Sequence, residues 1–129
     1  DRKMAFTDYL ENKLLAHTFS NTAYTSPSTV YVALYTVAPT DSTTGTEVSG
    51  GAYARQSASF TTTASATTNA SAIEYPTATA GYGTVVAVAV LDASSGGNML
   101  AFASLDTSKT IATGDVFRIP AGDLDITLN

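Results

Sequence analysis

The feature that most constrains this 129-residue chain is a change of period near Pro27. Before that point apolar residues recur at helical spacing; after it they alternate, in short segments separated by clusters of Gly, Ser, Asn and Asp. Alternation sends successive side chains to opposite faces of a strand, so most of the chain has to be built as sheet. Thr, Val, Tyr and Phe, which suit a pleated and half-buried surface, dominate there. The length is that of one domain with one core. The expected organisation is a single domain over residues 1–129, with a helix over 4–19 and a β domain over 28–129.

In the N-terminal segment Phe6, Leu10 and Leu14 recur every four residues, with Leu15 alongside, while Glu11, Asn12 and Lys13 fall away from that stripe. Thr7 or Asp8 suits the N-cap, because a short side-chain oxygen accepts from a free first-turn amide, and Asp8 and Glu11 suit the positive helix end. Ser20, Asn21 and Thr22 break the helix. Its apolar stripe is expected to pack on its own sheet; insertion into a neighbouring subunit is the alternative.

Beyond Pro27, Val30, Val32 and Leu34 share one face of a strand, and Tyr31, Ala33, Tyr35 and Val37 share the other. Both faces are apolar, which predicts a strand covered on both sides. Residues 40–51 form a polar loop expected to face outward, and 53–60 resume an extended pattern. The Thr/Ala/Ser run 61–72 offers almost nothing large to bury and suggests a short edge strand followed by loop. Ile73 and Tyr75 restart a strand before Pro76. The clearest hairpin joins 84–91 to 99–105 through a turn in which Gly96 and Gly97 supply positive φ. Strands at 116–119 and 124–128 close the chain, with Leu124, Ile126 and Leu128 alternating with Asp125 and Thr127. The most economical architecture is mainly β: a β-sandwich or jelly-roll-like domain with one N-terminal amphipathic α-helix.

Chemistry is scarce. The chain has no Cys, no Trp and one His, and charged residues make up 13%, about half of what soluble domains carry. A net charge of −5 with six scattered Lys and Arg disfavours nucleic acid, whose phosphates demand clustered cations. The longest apolar stretch, 85–91, is strand-sized, so no membrane span is expected and the protein is read as soluble. Asp1-Arg2-Lys3 leads into no secretory apolar segment, so no signal peptide is visible. The lack of Cys suits a reducing cytoplasm.

No catalytic residue, metal site or cofactor is expected. His17 could pair with Asp8 or a Ser in a hydrolase, but a lone His near a helix end beside Leu14 and Leu15 is read as structural. Asp115, Asp123 and Asp125 lack EF-hand spacing and are read as a solvated face. Asn69-Ala-Ser71 fits a glycosylation acceptor, which matters only in a eukaryotic secretory pathway. Tyr53, Arg55, Gln56 and Tyr82, with Tyr75, are candidates for a glycan platform, since rings stack on a sugar's apolar face while Arg and Gln bind its hydroxyls. Phe6, Leu10, Leu14, Tyr31 and Tyr35 are the interface candidates, because doubly apolar strands suggest more surface than one sheet face and one helix can cover, and hence a homo-oligomer.

Four stretches carry a resemblance: Ala5-Phe-Thr-Asp-Tyr-Leu-Glu-Asn-Lys-Leu-Leu15, Val30-Tyr-Val-Ala-Leu-Tyr-Thr-Val-Ala-Pro-Thr40, Glu47-Val-Ser-Gly-Gly-Ala-Tyr-Ala-Arg-Gln56 and Phe117-Arg-Ile-Pro-Ala-Gly-Asp-Leu-Asp-Ile-Thr-Leu128. From Met4 onward the chain resembles small tailed-bacteriophage virion proteins usually labelled tail fibre proteins. The resemblance transfers no catalytic motif. It implies a structural subunit assembled in the bacterial host cytoplasm, placed on the tail or as a capsid decoration, with other virion proteins as partners and a host surface glycan as the alternative ligand.

Overall fold

A computed structural model describes residues 2–128. In chain order the elements are β1 (Arg2–Phe6), α1 (Asp8–Phe19), β2 (Val30–Val37), β3 (Thr46–Glu47), β4 (Gln56–Ala58), β5 (Phe60–Thr63), β6 (Ala66–Asn69), β7 (Ile73–Glu74), β8 (Gly83–Leu91), β9 (Met99–Ile111), β10 (Arg118–Ile119) and β11 (Leu124–Thr127). The protein is mainly β with one N-terminal helix, as the alternation requires.

Among the described residues nine strands form one mixed sheet in the order β3-β2-β8-β9-β1-β11-β6-β5, with β4 also on β2. Strand β1 joins its two halves. Arg2–Met4 run parallel to β11, pairing Met4 with Ile126, whereas Ala5 and Phe6 pair antiparallel with Phe102 and Ala101 of β9. A strand that passes from one set of partners to another makes a corner between two layers, which is how the sheet becomes sandwich-like. The main core draws on both halves and on the small β7–β10 sheet: Val32, Leu34, Val88 and Val90 on one side, Ile73, Tyr75, Ile119 and Leu124 on the other.

The sheet corrects several boundaries: the strand expected at 99–105 runs on to Ile111, the one expected at 116–119 is Arg118–Ile119, and the helix is shorter. The helix starts at Asp8, not Met4, because the backbone of Met4, Ala5 and Phe6 is taken up by ladders to the C-terminal half of the chain. Thr7 marks the handover. Its amide continues the β1–β9 ladder to the Leu100 carbonyl at 3.0 Å, its hydroxyl donates to the Met99 carbonyl at 2.7 Å, and the same oxygen caps the helix by accepting from the Leu10 amide. Ser20 closes the helix, and Asn21 follows at φ 54°.

Strand β2 is apolar on both faces, as its alternation predicts, and each face meets a cluster. Val32 and Leu34 enter the main core; Ala33 and Tyr35 enter a smaller one with Ala87, Ala89, Leu91 and Met99. The β8–β9 register shifts twice. Near those shifts two successive residues share a side: Val86 and Ala87 both join the small cluster, and Leu100 and Ala101 both join the main one. In the β8–β9 turn Gly97 sits at φ 74°, and a Cβ there would lie 2.6 Å from Asp92 Oδ1 and 2.7 Å from Ala93 Cβ, so only Gly fits.

The Thr-rich run is more ordered than its composition suggests. It forms a complete hairpin, β5–β6, pairing Thr61 with Thr68 and Thr62 with Thr67. The edge strand is where the sequence places it, but the expected loop is a second strand. Cross-strand Thr pairs, one joined through hydroxyls at 3.0 Å, supply locally what apolar burial does not.

Candidate functional site

The most organised polar constellation fills a gap in the sheet edge. Strands β3 and β4 flank the same side of β2, Glu47 pairing with Tyr35 and Gln56 with Val32. Leu34 lies between, and the interrupted edge satisfies its backbone differently. The Val48 amide donates to the Leu34 carbonyl at 2.9 Å, and the Leu34 amide donates to Tyr53 Oη at 3.0 Å. Tyr53 Oη in turn donates to Glu47 Oε2 at 2.6 Å.

Arg55 completes the network. Its guanidinium meets Glu47 side-on, Nε to Oε2 and Nη2 to Oε1, both at 2.9 Å. Nη1 reaches across to the β8–β9 turn and donates to the carbonyls of Ala93 at 2.8 Å and Gly96 at 2.9 Å. Four of its five N–H donors are thereby engaged. The Arg55 side chain keeps 9% of its surface exposed and Glu47 keeps 25%. Burial alone would raise the Glu47 carboxyl; the bonds from Arg55 and Tyr53 outweigh it and hold the group below its ordinary value. The hydrogen bond to Glu47 raises Arg55, while burial, followed by the Glu47 bond, pushes the Tyr53 hydroxyl far above the ordinary phenol range. Tyr35, cross-strand from Glu47, is pushed up to about 12 by burial first and by the Glu47 charge second.

The structure divides the glycan candidates. Tyr53 and Arg55 stand together on the wall of an open cleft of about 420 Å³, with Ser49, Ser94 and Ser95. Tyr82 touches Tyr53 edge-on at 5.7 Å but is 4% exposed, and its hydroxyl donates to the Pro76 carbonyl. Tyr75 stacks on Tyr53 at 6.1 Å and is buried, its hydroxyl donating to the Val32 carbonyl at 2.6 Å. Gln56 donates its side-chain amide to the Ala54 carbonyl. The aromatic group is therefore largely a core feature with one ring at the surface.

The interface candidates are also divided. Tyr35 is buried in the small cluster; Phe6 and Leu10 are half-buried against the main core, and Leu14 and Tyr31 are half-buried. The helix thus packs on its own fold, along β9 and β1, with no residue fully buried. The open apolar surface lies elsewhere. Leu15 is 60% exposed, Phe19 80% and Leu128 57%. Phe6, Leu14, Leu15 and Leu128 line one groove, and Phe6 and Leu128 continue into a second one with Ile126 and Ala66. In the sequence Leu15 lies beside the Phe6–Leu10–Leu14 stripe; the packing of α1 along β9 and β1 leaves it facing out.

Residues 5–127 match the family model described as podophage GP4 fiber I protein gp80. The chain belongs to this family. No curated protein matches it. Membership in a phage fibre family supports a structural role in the phage, and the match covers the four stretches that carry the resemblance in sequence except for Leu128.

For a member of a fibre family, the remaining polar candidates have local structural duties. His17 Nδ1 accepts from the Tyr24 amide at 3.0 Å, tying the segment after the helix back to its last turn. Asp115 Oδ2 accepts from the Ala112 amide and closes a turn. Asp125 sits in the β11 ladder, between Lys3 and Thr68. Asn69, the acceptor of the glycosylation pattern, is 2% exposed: its Nδ2 donates to the carbonyls of Ser71 and Pro120, and its Oδ1 accepts from the Leu124 amide. The sequence marks Asn69 only as a glycosylation acceptor, whereas its side chain joins β6 to β11; the one local signal of that role is an Asn ending a Thr-rich run before a chain reversal.

Proposed function

We propose that this protein is a non-enzymatic, single-domain subunit of a tailed-phage fibre, which works by symmetric contacts with copies of itself and with other virion structural proteins. Family membership over residues 5–127 carries this reading. Two features support it: the polar network of Glu47, Tyr53 and Arg55 is spent on bracing the fold, and the helix and the end of β11 leave Leu15, Phe19 and Leu128 open. An open apolar strip of this kind suits contacts with a neighbouring subunit. The placement favoured is the tail, at a fibre or the tip. Cryo-electron microscopy of the particle tests it: density repeated around the tail axis supports the reading, whereas density on the capsid shell would make the chain a decoration protein.

A receptor- or carbohydrate-binding role is the second reading, favoured by Tyr53 and Arg55 lining one open cleft. A glycan array with binding lost in Tyr53→Phe, which keeps the ring and removes the hydroxyl, would support it. Absence of any glycan binding would leave assembly as the function.

A further inference from the structure

We propose that strand β5 pairs antiparallel with β5 of a second copy, extending the sheet across a two-fold axis. The inference deepens the assembly reading and rests on it.

The two ends of the nine-stranded sheet differ. At one end the β3/β4 edge is blunted: its strands are two and three residues long, residues 48–55 interrupt them, and a Glu47–Arg55 ion pair sits beside the gap. Short strands, interruptions and charges are the devices by which proteins stop an edge from pairing. The other end lacks the interruption and the charges. Strand β5 runs four residues, Thr61, Thr62 and Thr63 are exposed, and the sequence from Ser57 to Ile73 contains neither Pro nor any charged residue. Copies of a chain with net charge −5 repel one another, and this neutral stretch is where they meet with least opposition.

The register identifies the free groups. The Ala70 amide donates to the Ser59 carbonyl at 2.8 Å, so by alternation Thr61 and Thr63 exchange hydrogen bonds with Thr68 and Ala66. Phe60 and Thr62 then turn their N–H and C=O away from β6, and no hydrogen bond among the described residues takes them up. With the axis at Thr61, Phe60 of each copy meets Thr62 of the other and all four groups on each strand are used. An axis at Thr62 would call on Ala64, whose φ of 53° is off the strand. An axis at Phe60 would call on Ala58, already paired with Val30. Thr61 therefore faces its own copy across a non-hydrogen-bonded pair, with Cα atoms about 4.5 Å apart.

That geometry is testable because the chain has no Cys. A Cα separation of about 4.5 Å lies within disulfide range, so full-length Thr61→Cys should form a cross-linked dimer under mild oxidation roughly ten-fold faster than Thr62→Cys, whose copies are offset along the strand. Adding Thr62→Pro removes an outward N–H without touching the β6 ladder, and should abolish the Thr61→Cys cross-link while far-UV circular dichroism stays unchanged. Adding Leu15→Lys should leave it intact. Equal rates for the two Cys variants, persistence of the cross-link with Thr62→Pro, or its loss with Leu15→Lys would overturn the β5 contact. Sedimentation of the wild-type chain separates the two levels: self-association without the Thr61→Cys cross-link overturns this contact and leaves the assembly reading in place, whereas a monomer that never cross-links at Thr61→Cys counts against both.

Discussion

The β2–β8–β9 region and the β5–β6 hairpin are both antiparallel ladders in one sheet, yet they hold opposite positions in the molecule. In the first, Val32, Ala33, Leu34, Val88 and Ala89 are fully buried, and residues on both faces enter a core. In the second, Thr61–Thr63 are exposed, and the residue turned fully inward is Asn69. Backbone pairing makes a strand in either place; the side chains decide whether it becomes core or surface. Burying a Val or Leu stabilises by roughly 1.5–3 kcal/mol, whereas a cross-strand Thr pair contributes about 0.2–1 kcal/mol. The first region should therefore carry the stability of the domain and the second should be free for contacts.

Breaking the central ladder should have the largest effect. Leu34→Ala, at a fully buried position, should lower unfolding free energy by about 3 kcal/mol in a denaturant titration, within the range for cavity-forming Leu substitutions. Next comes the clamp that holds the blunt edge to the β8–β9 turn. Arg55→Ala leaves the Ala93 and Gly96 carbonyls without their donor and Glu47 with the Tyr53 hydroxyl alone, and should cost about 2–3 kcal/mol, less than for a fully buried pair because Glu47 keeps part of its surface in water.

A pH titration sharpens the same point. The Glu47 carboxyl is held below its ordinary value of 4.5 in the folded state, so its contribution is present above that pH and is lost as pH falls through the lowered value. Glu47→Gln should flatten this acid limb in thermal melts. Tyr35 is raised from 10.0 to about 12, so the unfolded chain ionises first and stability declines as pH rises across that interval. The smallest effect belongs to the hairpin: Thr62→Ala should change stability by about 0.5 kcal/mol or less, a typical value for an exposed position. A loss there comparable to that of Leu34→Ala would mean that the two ladders are not energetically distinct.

Much of the fold was legible because its signals are local. The two-faced pattern of 30–37, the Gly96–Gly97 turn, the Thr7 cap and the Ser20–Thr22 stop all act through neighbours within a few residues. The site was less legible. Tyr53, Arg55, Gln56 and Tyr82 were grouped by residue type, and the structure brings Tyr53 and Arg55 to one cleft while burying Tyr82. Nothing near Arg55 in sequence announces that its guanidinium will meet the carbonyls of Ala93 and Gly96. The stripe of Phe6, Leu10 and Leu14 was a sound helical pattern that failed only at Phe6.

That failure separates the two kinds of information. By itself the sequence determined that this is a β domain with one N-terminal helix, where the main turns lie, and that the family is a fibre family, since periodicity, turn residues and motif stretches are properties of adjacent positions. Only the tertiary structure decided that Arg2–Phe6 form a strand, that the Thr-rich run makes a hairpin with one open edge, and that Leu15 faces outward. The strand and the helix face depend on partners from a distant part of the chain, and the hairpin, though locally paired, is placed by β11 beside β6. A segment of ambiguous local preference adopts whichever conformation satisfies its backbone against what folding brings beside it.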